Sequence, residues 1–422
     1  DTGRFLPGST EFETAFNTVI SDPDLKTGAK FRDETKLYHA DGNYNFRDVV
    51  DFAEIQVGGS YRRYALNSFG NIFTDGPANG AINYDEYGVY TQAQKSFLDE
   101  DRLKVTASIR YDKAQNFEGN FSPRVSFAFA GGENKNNNFR ASFQTGFRNP
   151  TTQDQYIGLD VGSAILLGGV EDNLDRFTTT FVDNDDGNTY TVTGRDAYEN
   201  SYTVASGGTV KADVSLVKPE KVTAYEIGYR GLVKAGTKRV TLDVSVYYNQ
   251  YEDFIANRNV IVPYNLTGGF KIFQLYSNTS TDINSYGATA GLNTKILKGF
   301  DLGLNYTYAE FEFDQASDPD FEAGFNTPAH KVKLQFGKTN LFKNFGFNFN
   351  ARWQDKYRWE STFIDGTIKA RTVLDAQINY SVPSMKSVFK LGGANLSGKE
   401  YLSAPGVGAI GSQYYLSWTI NN

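Results

Sequence analysis

The stretch Leu103-Lys-Val-Thr-Ala-Ser-Ile-Arg-Tyr-Asp112 alternates apolar and polar residues from end to end. Side chains of an extended chain repeat with a period of two. Leu103, Val105, Ala107, Ile109 and Tyr111 therefore share one face, and Lys104, Thr106, Ser108, Arg110 and Asp112 the other. A strand this long exceeds the 5–6 residues or so usual in globular sheets and suits the ten or so of a tilted membrane-crossing strand. Its polar face carries charge, as a wet or filled lumen requires, while its apolar face ends on an aromatic.

The same dyad recurs outward from this stretch. Phe139, Ala141, Phe143 and Phe147 oppose Arg140, Ser142, Gln144 and Arg148, and Val240, Leu242, Val244, Val246 and Tyr248 oppose Arg239, Thr241, Asp243, Ser245 and Tyr247. The C-terminal third repeats it at 300–308, 345–353, 374–382 and 414–420. Between these segments the chain supplies short polar turns near 114–120, 131–138 and 234–238. It also supplies long connections at about 150–220, 253–270, 313–328 and 356–370. A loop of about 70 residues is foreign to a compact soluble domain but suits the outer side of a membrane barrel, where 151–159 could be helical. The reading is an all-β chain: a transmembrane antiparallel β-barrel with about 14–16 strands here and long extracellular loops.

Composition agrees. The 422 residues carry 33 Phe, 27 Tyr and 3 Trp but one Met, and mean hydropathy is −0.46. A wall facing lipid on one side and water on the other accounts for a chain both aromatic and polar. Forty-two Lys and Arg against 49 Asp and Glu give a net charge of −7, and with no basic stripe nucleic acid is not an expected partner. Cysteine is absent, which removes disulfides, thiolate metal sites and cysteine nucleophiles. His39 and His330 are too few and too isolated for a metal site or a catalytic triad. No apolar run approaches the 18 or so residues of a membrane helix. The chain opens at Asp1-Thr-Gly-Arg without a secretion signal, so it is expected to begin inside a longer precursor or after processing.

Several segments, in order, resemble the TonB-dependent outer-membrane receptors. Glu86-Tyr-Gly-Val-Tyr-Thr-Gln-Ala-Gln94, Leu103–Asp112 and Phe121-Ser-Pro-Arg-Val-Ser-Phe127 look like three consecutive strands of that barrel. Gly146-Phe-Arg-Asn-Pro-Thr151 resembles the family's segment at a strand's outer end, and Val217-Lys-Pro-Glu … Glu226-Ile-Gly-Tyr-Arg-Gly231 the strand that follows. Asn395-Leu-Ser-Gly-Lys-Glu-Tyr401 resembles the element before the last strand, although the chain then ends Ile-Asn-Asn rather than on an aromatic. The resemblance implies part of a barrel of about 22 strands, with the plug, the N-terminal strands and the TonB box outside this chain. Residues 1–422 would be the C-terminal portion of the barrel domain, 1–32 an extracellular loop with a short helix near Thr14–Ile20, and 150–220 the long extracellular loop. Implied partners are outer-membrane lipid, the plug, the TonB energy-transducing complex, an imported ligand and, in some systems, a surface lipoprotein.

Candidate substrate- or plug-facing residues are Arg110, Arg124, Arg148, Glu226, Arg230 and Trp359. Arg148 and Pro150 end a strand; the simpler role for Arg148 is an ion pair at the lumen mouth, the alternative a ligand contact. Glu226 and Arg230 share a polar face four residues apart, suited to a lumen charge network rather than to acid–base catalysis. Trp353 keeps the lipid-facing register of an aromatic girdle; Trp359, in the loop beyond, could stack on a flat ligand. Asp183-Asn-Asp-Asp-Gly187 invites a calcium reading, but counting back from Gly187 puts Val182 at the first ligand position, so an EF-hand loop fails. No phosphate-binding glycine loop opens a helix. The expected chemistry is selective binding and gating, with no catalytic residue, metal or cofactor. The alternatives are a passive porin, a barrel enzyme, or a barrel serving as platform for a surface lipoprotein.

Overall fold

The computed structural model describes residues 3–22, 27–236, 238–319, 321–322, 324–361 and 364–420. Asp1-Thr2 and the terminal Asn421-Asn422 lie outside these residues, as does Thr237 of the expected 234–238 turn.

Among the described residues, fifteen strands pair antiparallel, in chain order, in one sheet, within the expected 14–16. They are β1 (Lys36–Asn45), β2 (Glu54–Leu66), β3 (Ile82–Phe97), β4 (Leu103–Ala114), β5 (Asn120–Gly131), β6 (Asn137–Arg148), β7 (Glu220–Ala235) and β8 (Lys238–Glu252). β9 (Ile283–Ile296), β10 (Phe300–Glu312), β11 (His330–Phe342), β12 (Phe345–Gln354), β13 (Arg371–Val382), β14 (Ser387–Ala394) and β15 (Gln413–Ile420) complete it. This is the meander of an up-and-down barrel wall.

Register turns each strand's dyad into two continuous surfaces. Ala107 of β4 lies opposite Val125 of β5, Ala141 opposite Ile227, and Ile227 opposite Val246, so apolar residues meet apolar residues across the sheet. On this outer face Phe121 is 66% exposed, Ile227 64%, Leu416 77% and Trp418 59%. So broad an apolar surface open to water would drive aggregation; against hydrocarbon it is at equilibrium. Aromatics gather at its two margins, with aliphatic residues between. Toward one end stand Phe129–Phe139, Phe300–Phe336 and Phe389–Trp418, with ring centroids 6.4, 5.3 and 5.9 Å apart. Toward the other stand Tyr111–Phe121 and Tyr286–Tyr308, at 4.8 and 6.3 Å. Two aromatic margins flanking an aliphatic band are what a membrane wall needs at its two interfaces. Trp353 lies opposite Val332 and Thr372 on the same outer face, as its register predicts.

Connections at the first end are all short: 46–53, 98–102, 132–136, 236–237, 297–299, 343–344 and 383–386. Tight reversal there uses left-handed backbone, with Asn344 at φ 63° and Gly299 at φ 88°. The opposite end carries 67–81, 115–119, 149–219, 253–282, 313–329, 355–370 and 395–412. The turn at 114–120, expected among the short-turn side, therefore belongs to the long-connection end. Its brevity misled, because only the count of strands before it fixes the end it occupies. The N-terminal segment also lies at that end and holds α1 (Thr10–Ser21), longer than the expected 14–20; Ser9 caps it by accepting from the Phe12 N–H at 3.1 Å.

Two long connections are not the plain loops they seemed. Residues 149–219 contain α2 (Thr152–Tyr156), α3 (Glu171–Arg176), α4 (Gly194–Glu199) and several short strands. The expected helix at 151–159 is α2, closed by a capping box in which Thr151 and Asp154 bond reciprocally. The loop expected at 253–270 runs on to 282 and is itself a hairpin, Ile255–Pro263 with Phe270–Asn278. That hairpin pairs with Tyr202–Thr203, Phe321–Glu322 and, in parallel, with Ile165–Leu167, which in turn pairs with Gly158–Asp160. Leu167, Val192, Val260, Val262, Phe273 and Leu275 fill a core beneath the sheet. The three connections thus fold into one lid.

Buried polar groups pin this lid. Asn173, fully buried, donates to the carbonyls of Ile157 (3.2 Å) and Gly168 (2.9 Å) and accepts from the Thr74 hydroxyl at 2.6 Å. The Arg258 guanidinium meets Asp318 at 2.6 Å, with side chains 13% and 1% exposed. The Tyr198 hydroxyl donates to the Tyr276 carbonyl at 2.7 Å, and burial pushes its pKa well above the ordinary phenol value. Burial also raises the Asp154 carboxyl, opposed by its bonds from Thr151. In the acidic run, Asp183 accepts from Tyr264 (3.1 Å), Asn265 (3.3 Å) and the Asp185 N–H (3.0 Å), closing the hairpin Thr178–Val182 with Thr189–Thr193.

Candidate functional site

The inner face is the polar half of every dyad, and the lid stands over one end of it. Under the lid, residues of β1 to β6 and of the connection at 149–152 line an open groove of about 830 Å³. Arg110 lies on its wall, its guanidinium forked onto Asp112 at 2.6–2.8 Å and donating to the Ser60 hydroxyl at 3.0 Å. Gly88 faces that pair, and a Cβ there would fall 2.1 Å from an Asp112 carboxylate oxygen and 2.3 Å from an Arg110 nitrogen. The glycine leaves the pair its room.

Glu86 is the hub of the groove. Its carboxylate accepts from the Asn149 amide (3.1 Å) and the Tyr64 hydroxyl (3.3 Å) and lies 4.0 Å from Arg62. Arg62 in turn donates to His39 at 3.3 Å, and His39 meets Asp41 at 3.0 Å. Tyr64 and Tyr84 stack at 4.7 Å, and Tyr84 continues to Tyr156 of α2 at 5.9 Å, so an aromatic column joins wall to lid. His330 is elsewhere: it lies opposite Tyr308 in the outer-face register and accepts or donates a bond with the Tyr306 hydroxyl at 2.8 Å. The two histidines are on opposite faces of the sheet and cannot share a site.

The remaining candidates separate. Arg148, at the top of β6, pairs with Glu220 at 2.7 Å, and that carboxylate, only 9% exposed, also accepts the Ile255 N–H at 3.1 Å. The pair therefore ties the wall to the lid hairpin. Arg148→Ala would strand a nearly buried carboxylate. The expected cost is about 1–3 kcal/mol of lid stability, read as faster proteolysis of 253–282. A ligand contact would instead lower affinity and leave proteolysis unchanged.

Glu226 and Arg230 do not touch each other. Arg140 bridges Glu226 (3.4 Å) and Asp243 (3.2 Å), and Arg230 reaches the other Asp243 oxygen at 4.0 Å. These four charges form one network on the polar face, centred on the Arg140–Asp243 contact between β6 and β8. Arg124, exposed on β5 opposite Ser108 and Gln144, has no ion-pair partner among the described residues. Trp359 is half-buried in a small hairpin, Tyr357–Trp359 with Gly366–Ile368, opposite Gly366. Only Arg110 of the six lines the groove under the lid.

A two-faced meander, aromatic at both margins of one face, charged on the other and covered at one end by a folded lid, suits the wall of a membrane β-barrel. The family model for TonB dependent receptor-like β-barrels matches residues 2–396. The chain belongs to this family. Solved structures agree on the fold. The siderophore receptor PirA from Acinetobacter baumannii matches with a TM-score of 0.60 at 12% identity, over 94% of this chain and 56% of that one. A mutant of the ferric enterobactin receptor PfeA from Pseudomonas aeruginosa gives 0.63 at 11%, over 94% and 55%. The FrpB iron transporter from Neisseria meningitidis gives 0.60 at 14%, over 91% and 54%. The chain thus spans little more than half the length of these receptors, and at such identities the likeness concerns the fold. No curated protein matches the sequence.

In this TonB-dependent receptor barrel, sequence reasoning missed Arg62, Glu86, Arg140, Glu220 and Asp243 as site residues. Parity places Arg140 and Asp243 on the polar face, which is the one signal that was available. Their contact joins residues 103 apart in sequence, and no local pattern encodes it.

Proposed function

We propose that this receptor is an active importer of the bacterial outer membrane. Its long-connection end, including 1–32 and 150–220, faces the outside and its short turns the periplasm. A ligand is captured beneath the lid and moves along the inner face when a plug is displaced by the TonB energy-transducing complex. The observation that carries this reading is the inner wall itself: charged, ion-paired, and covered at one end by a folded lid instead of a fringe of loose loops. Arg110 and the Glu86 hub would face the ligand near the entry, while Glu226, Arg230 and Arg124 would face the plug or the path below. Arg148 would hold the lid. Trp359 keeps its reading as a stacking surface in an outer loop, and a surface lipoprotein would sit on the lid.

The names of the structural neighbours make a ferric chelate the first ligand class to test. Cells expressing the full-length protein should accumulate the labelled chelate only while the proton-motive force and TonB are intact, and lose uptake when either is removed. Steady ion conductance of the full-length protein in a planar bilayer, independent of energy, would overturn active import in favour of a porin.

A further inference from the structure

Three tyrosines of the inner face lie directly opposite a glycine of the neighbouring strand: Tyr90 opposite Gly58, Tyr247 opposite Gly287 and Tyr415 opposite Gly392. Each ring reaches across its glycine. A Cβ at Gly58 would fall 2.4 Å from the Tyr90 ring, one at Gly287 2.7 Å from Tyr247, and one at Gly392 2.4 Å from Tyr415. Covering a glycine is role enough for Tyr247 and Tyr415. Of the three, Tyr90 lines the groove under the lid.

Its seat draws on three strands. The Tyr90 hydroxyl accepts from the Gln56 amide at 3.2 Å, and that amide also donates to Asn43 of β1 at 3.1 Å. A half-buried ring held in this way has little freedom left to lose when a second ring packs on it. Arg110 stands beside it, with its guanidinium carbon 5.9 Å from the ring centroid. Asp112 and Ser60 engage Nε and Nη2 of that guanidinium, and Nη1 makes no hydrogen bond among the described residues. The groove therefore offers an aromatic platform with an unused, oriented N–H donor next to it.

We propose that Tyr90 is the platform on which a ring of the captured ligand stacks, with Arg110 Nη1 donating to an oxygen carried by that ring. Both a catecholate and a pyranose have this chemistry. The proposal rests on the groove being the capture site. Capture is an equilibrium, measured without TonB or proton-motive force, so a failure of energised uptake leaves it standing. Three probes are titrated by calorimetry into the detergent-solubilised full-length protein. They are a ferric tricatecholate, whose iron ligands are aromatic rings, a linear ferric trihydroxamate, which has none, and maltoheptaose, built of pyranoses. One ring-bearing probe should bind at least about tenfold more tightly than the trihydroxamate, and which one does so identifies the ring. Tyr90→Ala should weaken it by about five- to a hundredfold, the range of a lost stacking contact. Tyr90→Leu, which fills the seat without a ring, should weaken it as much, and Tyr90→Phe should keep most of the affinity. Gly58→Ala, which displaces the ring, should weaken it in the parent and have no further effect in the Tyr90→Ala background. Binding of the trihydroxamate as tightly as either ring-bearing probe would overturn the proposal. So would the failure of both ring-bearing probes to bind, undiminished binding by Tyr90→Leu, or an equal loss from Gly58→Ala with and without the ring.

Discussion

Asp318→Ala is expected to open the lid. The Asp318 carboxylate is buried against Arg258 at 2.6 Å and also accepts from the Thr279 hydroxyl at 2.8 Å, holding the hairpin at 255–278 to the connection at 313–329. Removing it leaves a guanidinium that is 13% exposed without its charge partner. Breaking one half of a buried pair costs about 3–5 kcal/mol. Hydrogen exchange of the 255–278 backbone should then accelerate by roughly two to four orders of magnitude, where exchange follows local opening. The double replacement Arg258→Met with Asp318→Leu should recover most of the protection, because a well-packed apolar pair removes the desolvation cost on both sides. If the single variant exchanges like the parent, the ion pair does not hold the lid. If the double variant is as open as the single one, hydrogen bonds to Thr279 outweigh the charge.

The second large effect is expected at Phe273. Its ring is fully buried in the lid core, edge-on to Phe177 at a centroid distance of 6.0 Å, and its backbone pairs with Ile165 and Val260. Phe273→Ala leaves a cavity at the point where the long connection meets the hairpin, at a cost of about 3–5 kcal/mol. Because the lid's core residues belong to connections and the wall's strands are held by their own ladder, the loss should stay local. Protease should cut within 158–203 and 255–278, while β9 to β13 keep their protection and the barrel its resistance to SDS. Collapse of the wall together with the lid would show that the two are one cooperative unit. Phe273→Leu, which keeps most of the volume, should cost much less than the alanine variant.

Both predictions concern the part of the molecule that local sequence hides best. The wall is the opposite. Its strands could be read residue by residue, as at Leu374–Val382 inside β13 and Phe345–Trp353 inside β12, because one face of each strand meets lipid and the other a polar lumen. That environment imposes the dyad on every strand separately, so the pattern is legible without knowing which strand lies beside it. Trp353 could likewise be assigned to the outer face by counting from Phe345. Arg140, Asp243, Glu226 and Arg230 could be assigned to the inner face in the same way.

What counting could not supply was contact. Ile255–Pro263 is a strand with Val260 and Val262 buried beside Arg258, but it faces a protein core on one side and other connections on the other, so no solvent boundary prints an alternation on it. Its partners come from Tyr202–Thr203, Phe270–Asn278 and Phe321–Glu322, which only the folded chain brings together. For the same reason Arg148 could be placed at a strand end, yet its bond to Glu220, 72 residues away, could not be read. The alternating strands by themselves determined the wall, its two faces and the membrane it suits, since each residue's solvent is fixed by its own parity. The tertiary structure alone decided which end of the wall each turn occupies, that the long connections form a single lid, and which charges meet beneath it. Those depend on strand order and on pairings between distant segments, which a period of two does not record.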